Sequence, residues 1–126
     1  MLSMAEIQRF QLEKRSGSVP NSTIIAPSGQ LVLEHLFRFQ EAWRADSSDI
    51  LIFDLNGVSY MDSSLIGSLV NAHVHRTKNG RKMALAAVPE RVRQILAVTK
   101  VEMLFKFYPT IDEAEAGLAG VQAQVG

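Results

Sequence analysis

The spacing of apolar positions divides the chain into alternating strand-like and helix-like segments. Over residues 7–14, apolar Phe10 and Leu12 alternate with Arg9, Gln11 and Glu13, the period of two expected of a half-buried strand. Ser16, Gly17, Ser18, Pro20 and Asn21 follow as turn formers, and residues 23–26 are rich in β-branched side chains, so the N-terminus should be an antiparallel hairpin. Beyond Pro27, Ser28 and Gly29 the period changes. Val32, Leu36, Phe39 and Trp43 recur at intervals of four, three and four, one stripe of an amphipathic helix over about residues 31–45.

Asp46, Ser47, Ser48 and Asp49 close that helix, and residues 50–55 are almost continuously apolar, as in a central strand buried on both faces of a parallel sheet. Asn56 and Gly57 turn the chain toward a second helix, which should begin at Ser63 or Ser64 and stop at Asn79 and Gly80, residues that tolerate a left-handed backbone. Residues 83–88 form another buried strand. Pro89 and Glu90 open a short helix with Val92, Ile95, Leu96 and Val98 inward, and Phe105 and Phe107 mark a last strand. Thr110 and Glu113 form a capping box for a final helix ending near Ala119. The tail, residues 120–126, should fray. This order predicts one α/β domain over residues 1–126, a mixed β-sheet of about five strands with about four helices mainly on one face.

Composition narrows the function. Thirteen Lys plus Arg balance thirteen Asp plus Glu, so nucleic-acid binding has no electrostatic support. The absence of Cys excludes disulfides, thiolate metal sites and a cysteine nucleophile, and fits a reducing compartment, with the cytoplasm as the default. Glu6, Arg9, Glu13 and Lys14 interrupt the N-terminal segment, and no run of about eighteen apolar residues occurs. Neither a signal peptide nor direct membrane insertion is expected.

The chemically informative stretch is residues 51–70, where a buried strand leads to Asp62, Ser63 and Ser64 at a helix start. A helix N-terminus offers unpaired N–H groups and roughly half a positive charge, an environment that suits a phosphoryl group on a serine. Asp and Ser are also the commonest N-cap residues, so capping alone accounts for their presence. Gly57, Gly67 and Gly80 form neither a P-loop nor a dinucleotide fingerprint, and no cofactor is expected. His73 and His75 lie about two or more helical turns from Ser63, too far for a hydrolase triad, and two residues apart they cannot share a metal. Arg76, Lys78, Arg81 and Lys82 read as a solvated helix end complementing its dipole. Phe37 leaves the core stripe of its helix and is expected to be exposed, as part of a partner or homodimer surface.

Asp54, Leu55, Met61, Asp62, Ser63, Ser64 and Gly67 together resemble the STAS family of anti-sigma factor antagonists, whose members read as an apolar strand ending in Asp-Leu, a turn, then Met-Asp-Ser-Ser-Gly-Leu-Gly. The similarity continues through Asn79 and Gly80, residues 83–88, Pro89, residues 91–96 and residues 105–113, about residues 24–119 in all. It implies a non-enzymatic binding module phosphorylated on Ser63. The unphosphorylated form would bind an anti-sigma factor serine kinase and the phosphorylated form be released, with a serine phosphatase resetting the switch. Asp62, Ser63, Ser64, Leu65, Gly67 and Ser68 would form the partner surface, Asp62 as a recognition residue and not a base. The family's glycine after the two serines is Leu65 here, which adds bulk at the loop-to-helix junction. Gly29 keeps the glycine before the first helix, but Gln30 and Leu31 lack the acidic residue that often follows. The alternative is an unphosphorylated STAS scaffold in a stressosome-like or lipid-transport complex.

Overall fold

The structure, a computed structural model, describes residues 9–120. In chain order the elements are β1 (Gln11–Ser16), β2 (Ser22–Leu31), a 3-10 turn (Leu33–His35), α1 (Leu36–Arg44), β3 (Ile50–Asp54), β4 (Val58–Met61), α2 (Ser63–Lys78), β5 (Lys82–Ala86), α3 (Glu90–Val98), a second 3-10 turn (Glu102–Leu104), β6 (Phe107–Tyr108) and α4 (Ile111–Ala119). The main sheet runs β1-β2-β3-β5-β6, antiparallel between β1 and β2 and parallel elsewhere.

Alternation along the central strands sorts side chains between two cores. Ile25, Leu51, Phe53 and Leu85 point to one face, where Phe39 and Trp43 of α1, Leu65 and Leu69 of α2, and Val92 and Leu96 of α3 cover them. Ile24, Ile50, Ile52, Ala84 and Ala86 point to the other, where Ala114 and Leu118 of α4 close over them. Among the described residues three helices therefore share one face and α4 covers the second, which explains why β3 reads as an unbroken apolar run.

Among the described residues the sheet has six strands, five of them in the main order, where about five were expected. The addition is β4, inside the stretch read as a simple turn. Asp54 Oδ1 accepts the Asn56 N–H (3.0 Å), the Val58 N–H donates to the Leu55 carbonyl (3.0 Å), and the Gly29 N–H donates to the Gly57 carbonyl (2.9 Å). The chain thereby returns alongside β2, and a Cβ at Gly57 would come within 2.8 Å of Ser28 Cβ, so glycine permits the approach. β2 is correspondingly long: Ser22 to Ile25 pair with β3 and Gly29 to Leu31 with β4, with a register shift at Gly29 (φ 88°). Pro27 falls between the two parallel ladders, at the hand-over from one neighbour to the next.

Other boundaries move for similar reasons. The first strand, expected over 7–14, is Gln11–Ser16 among the described residues; residues 7 and 8, and residues 121–126 of the expected tail, lie outside them. The first helix begins at Leu36, because β2 and the 3-10 turn occupy residues 31–35. Val98, placed inward, is 79% exposed at the end of α3. Phe105 precedes the last strand and is buried by packing on the core.

Arg76, read as part of a solvated basic helix end, is 1% exposed. Its guanidinium donates to the carbonyls of Ser48 (2.6 Å) and Lys82 (3.0 Å) and to Asp46 Oδ2 (3.3 Å). Asp46 also accepts from Thr23 Oγ1 and Ser48 Oγ, both at 2.6 Å. Burial pushes the Arg76 guanidinium below its ordinary value while Asp46 pulls it back up; an arginine under that balance stays charged. The network ties the end of α2 to the loop before β3.

Candidate functional site

Two parallel strands side by side, β2 and β4, end at paired residues Leu31 and Met61. The chain leaves them into Leu33 on one side and Asp62 and Ser63 on the other, so two segments distant in sequence meet at one sheet edge. Asp62 is the N-cap of α2: its Oδ1 accepts the Leu65 N–H at 3.1 Å. The expected helix start at Ser63 is observed, and the capping reading of the motif falls on Asp62 alone. Its second oxygen, Oδ2, accepts the Leu33 N–H at 2.9 Å, so one half-buried carboxylate serves both segments.

The remaining motif residues divide by exposure. Ser63, the first residue of α2, and Gly67, one turn later, are exposed, and Ser64 is half-buried. Leu65 is 0% exposed within the main core and Ser68 is buried, accepting a 3.0 Å bond from Trp43 Nε1. This corrects the expectation that Leu65 and Ser68 form part of the partner surface, since a helix turns every third and fourth residue to the same side. The substitution of Leu for Gly therefore adds bulk to the core side, away from Ser63. Capping by Asp62 leaves the Ser63 hydroxyl free of that role, and the Ser63 and Ser64 N–H groups have no acceptors inside α2.

Exposed apolar side chains occur on the segments that meet at this edge. Leu33 is 62% and Phe37 75% exposed, which agrees with the expectation for Phe37. Tyr60, two residues before Asp62, lines with Arg91, Gln94, Ile95, Val98 and Thr99 an open groove of about 440 Å³ between β4 and α3. The His73 ring meets Phe105 edge-on at 5.9 Å and the His75 ring lies 5.8 Å from Trp43. Among the described residues no group of three metal-ligating side chains occurs and no helix is long and apolar enough to cross a membrane. The Leu33 contribution is not announced by the sequence, where Leu33 only ends the apolar run of residues 31–33.

Fold and site thus define a small α/β domain that presents an exposed serine at a helix start. The profile of the STAS domain family matches residues 13–114, and the chain belongs to that family. A Thermotoga neapolitana protein named as a candidate anti-sigma factor antagonist is 33% identical over 101 residues, covering 76% of this chain and 88% of its own. Among solved structures, a candidate anti-sigma factor antagonist from Thermotoga maritima superposes with a TM-score of 0.75 at 23% identity, over 90% of this chain and 97% of that one. The anti-sigma factor antagonist SpoIIAA in its unphosphorylated form gives 0.70 at 19% identity, over 89% and 97%. These structural likenesses bear on the fold.

Proposed function

We propose that the protein is an anti-sigma factor antagonist, a non-enzymatic switch that binds an anti-sigma factor serine kinase when unphosphorylated and leaves it when phosphorylated on Ser63. A serine phosphatase returns it to the binding form. The observation that carries this reading is the exposed Ser63 at the first position of α2, with Asp62 already serving as the cap. A hydroxyl at that place is reachable by a kinase, and the fold does not depend on it as the cap. The names of the relatives support the same role. Phosphorylation adds a charge of about −1.5 to −2. Placed in an interface built on Leu33, Phe37 and Tyr60, such a charge loses its water without an obligatory partner, at a cost of several kcal/mol; each 1.4 kcal/mol is tenfold in affinity.

Leu65, which stands where the family has glycine, lies in the core, so its bulk gives no support to the scaffold alternative, in which Ser63 is never modified. The test is incubation with the cognate kinase and ATP followed by mass spectrometry of the wild type, Ser63→Ala and Ser64→Ala. One added phosphate on the wild type and Ser64→Ala, and none on Ser63→Ala, is expected. An unchanged wild-type mass would favour the scaffold. In a binding titration Ser63→Asp should bind the kinase at least tenfold more weakly than wild type, and equal affinity would count against electrostatic control.

A further inference from the structure

The Leu33–His35 turn and α1 behind it begin without a cap of their own: neither Val32 nor His35 offers a side-chain hydrogen bond to the segment it precedes. The first N–H of the turn, that of Leu33, is held from 29 residues away by Asp62 Oδ2. Asp62 Oδ1 meanwhile caps α2 through Leu65. One carboxylate is the shared N-cap of two segments, and the residue directly after it is Ser63.

From this arrangement we infer that Asp62 is a positioning residue that couples the state of Ser63 to the apolar ridge of Leu33 and Phe37. The inference rests on Ser63 being the modified residue of the proposed function. A phosphate on Ser63 sets a second strong anion beside the Asp62 carboxylate, and its oxygens compete for the same backbone donors. The two Asp62 bonds are not equally protected: the bond to Leu65 is partly buried and local to α2, whereas the bond to Leu33 is exposed to water. Repulsion between the anions releases the exposed bond first, and the turn carrying Leu33 loses its only side-chain cap. Phe37, four residues on and 75% exposed, lies in the first turn of α1 and moves with it. Phosphorylation then acts twice on a partner, through the new charge and through displacement of the ridge beside it.

The test installs phosphoserine at position 63 during translation, so that no kinase is needed, and follows backbone amides by NMR and hydrogen exchange. Asp62→Ser is the decoupling variant, because serine retains a good cap for α2 and is too short to reach Leu33; Asp62→Asn, with one acceptor oxygen, is the second. In the wild type, phosphoserine should shift the Leu33 and Phe37 amides and speed Leu33 exchange about tenfold or more. In Asp62→Ser, Leu33 exchange should already be fast, and phosphoserine should change neither amide further. Unmoved Leu33 and Phe37 amides in the phosphorylated wild type, or equal shifts in Asp62→Ser, would overturn the coupling. Failure of a kinase to modify Ser63 would instead overturn the proposed function and leave these amide measurements standing.

Discussion

Replacing Arg76 by Met keeps a long side chain in place and removes the charge and all three of its hydrogen bonds: to the Ser48 carbonyl (2.6 Å), the Lys82 carbonyl (3.0 Å) and Asp46 Oδ2 (3.3 Å). Asp46 keeps the hydroxyls of Thr23 and Ser48 but becomes a buried carboxylate with no cation beside it. Breaking such a pair from one side costs about 3–5 kcal/mol, against a total of about 5–15 kcal/mol for a domain of this kind. With a urea slope of about 2 kcal/mol/M, the midpoint should fall by about 1.5–2.5 M. The assay is urea unfolding followed by tryptophan fluorescence, since Trp43 is buried against α2 through Ser68. Asp46→Asn and the double variant complete a cycle, in which the double variant should cost less than the sum of the singles by at least about 1 kcal/mol. A loss below about 1 kcal/mol for Arg76→Met, or strict additivity, would refute the claim that this pair is a desolvated unit. Thirteen residues, about 20 Å of helix, separate it from Ser63, so the native fraction of Arg76→Met should bind its partner normally.

Leu65→Gly restores the family's residue but empties a fully buried position in α2. It should destabilise the fold by about 3–5 kcal/mol, a cavity term plus the helix penalty of glycine, measured by thermal unfolding, without blocking modification of Ser63. Phe37→Ala should leave stability within about 0.5 kcal/mol because the ring is exposed, yet weaken partner binding at least tenfold in a calorimetric titration. Gly17→Ala would drive a methyl group into the Ser22 hydroxyl and Glu115 Oε2. Glu115 accepts the Ser18 N–H at 2.6 Å, fastening α4 to the hairpin turn, so a cost of about 1–3 kcal/mol and faster amide exchange in α4 are expected.

Much of what depends on neighbours within a few residues was legible in the chain itself. The alternation at Phe10 and Leu12, the Phe39 and Trp43 stripe, the apolar run of β3, the start of α2 at Ser63 and the Thr110 cap bonded to the Glu113 N–H (3.0 Å) follow from periodicity and capping, which are local. The motif around Ser63 was visible for the same reason. What tertiary structure decided are matters of distant partners. Val58–Met61 is too short to announce itself and becomes β4 only because the second half of β2 lies free to pair with it. Arg76 looks like any basic residue near a helix end until Asp46, 30 residues earlier, meets it in the interior. Asp62 reaches across to Leu33 because strands β2 and β4 end side by side. A carboxylate's choice of donors is set by which backbones the fold brings within about 3 Å, and no spacing along the chain encodes that.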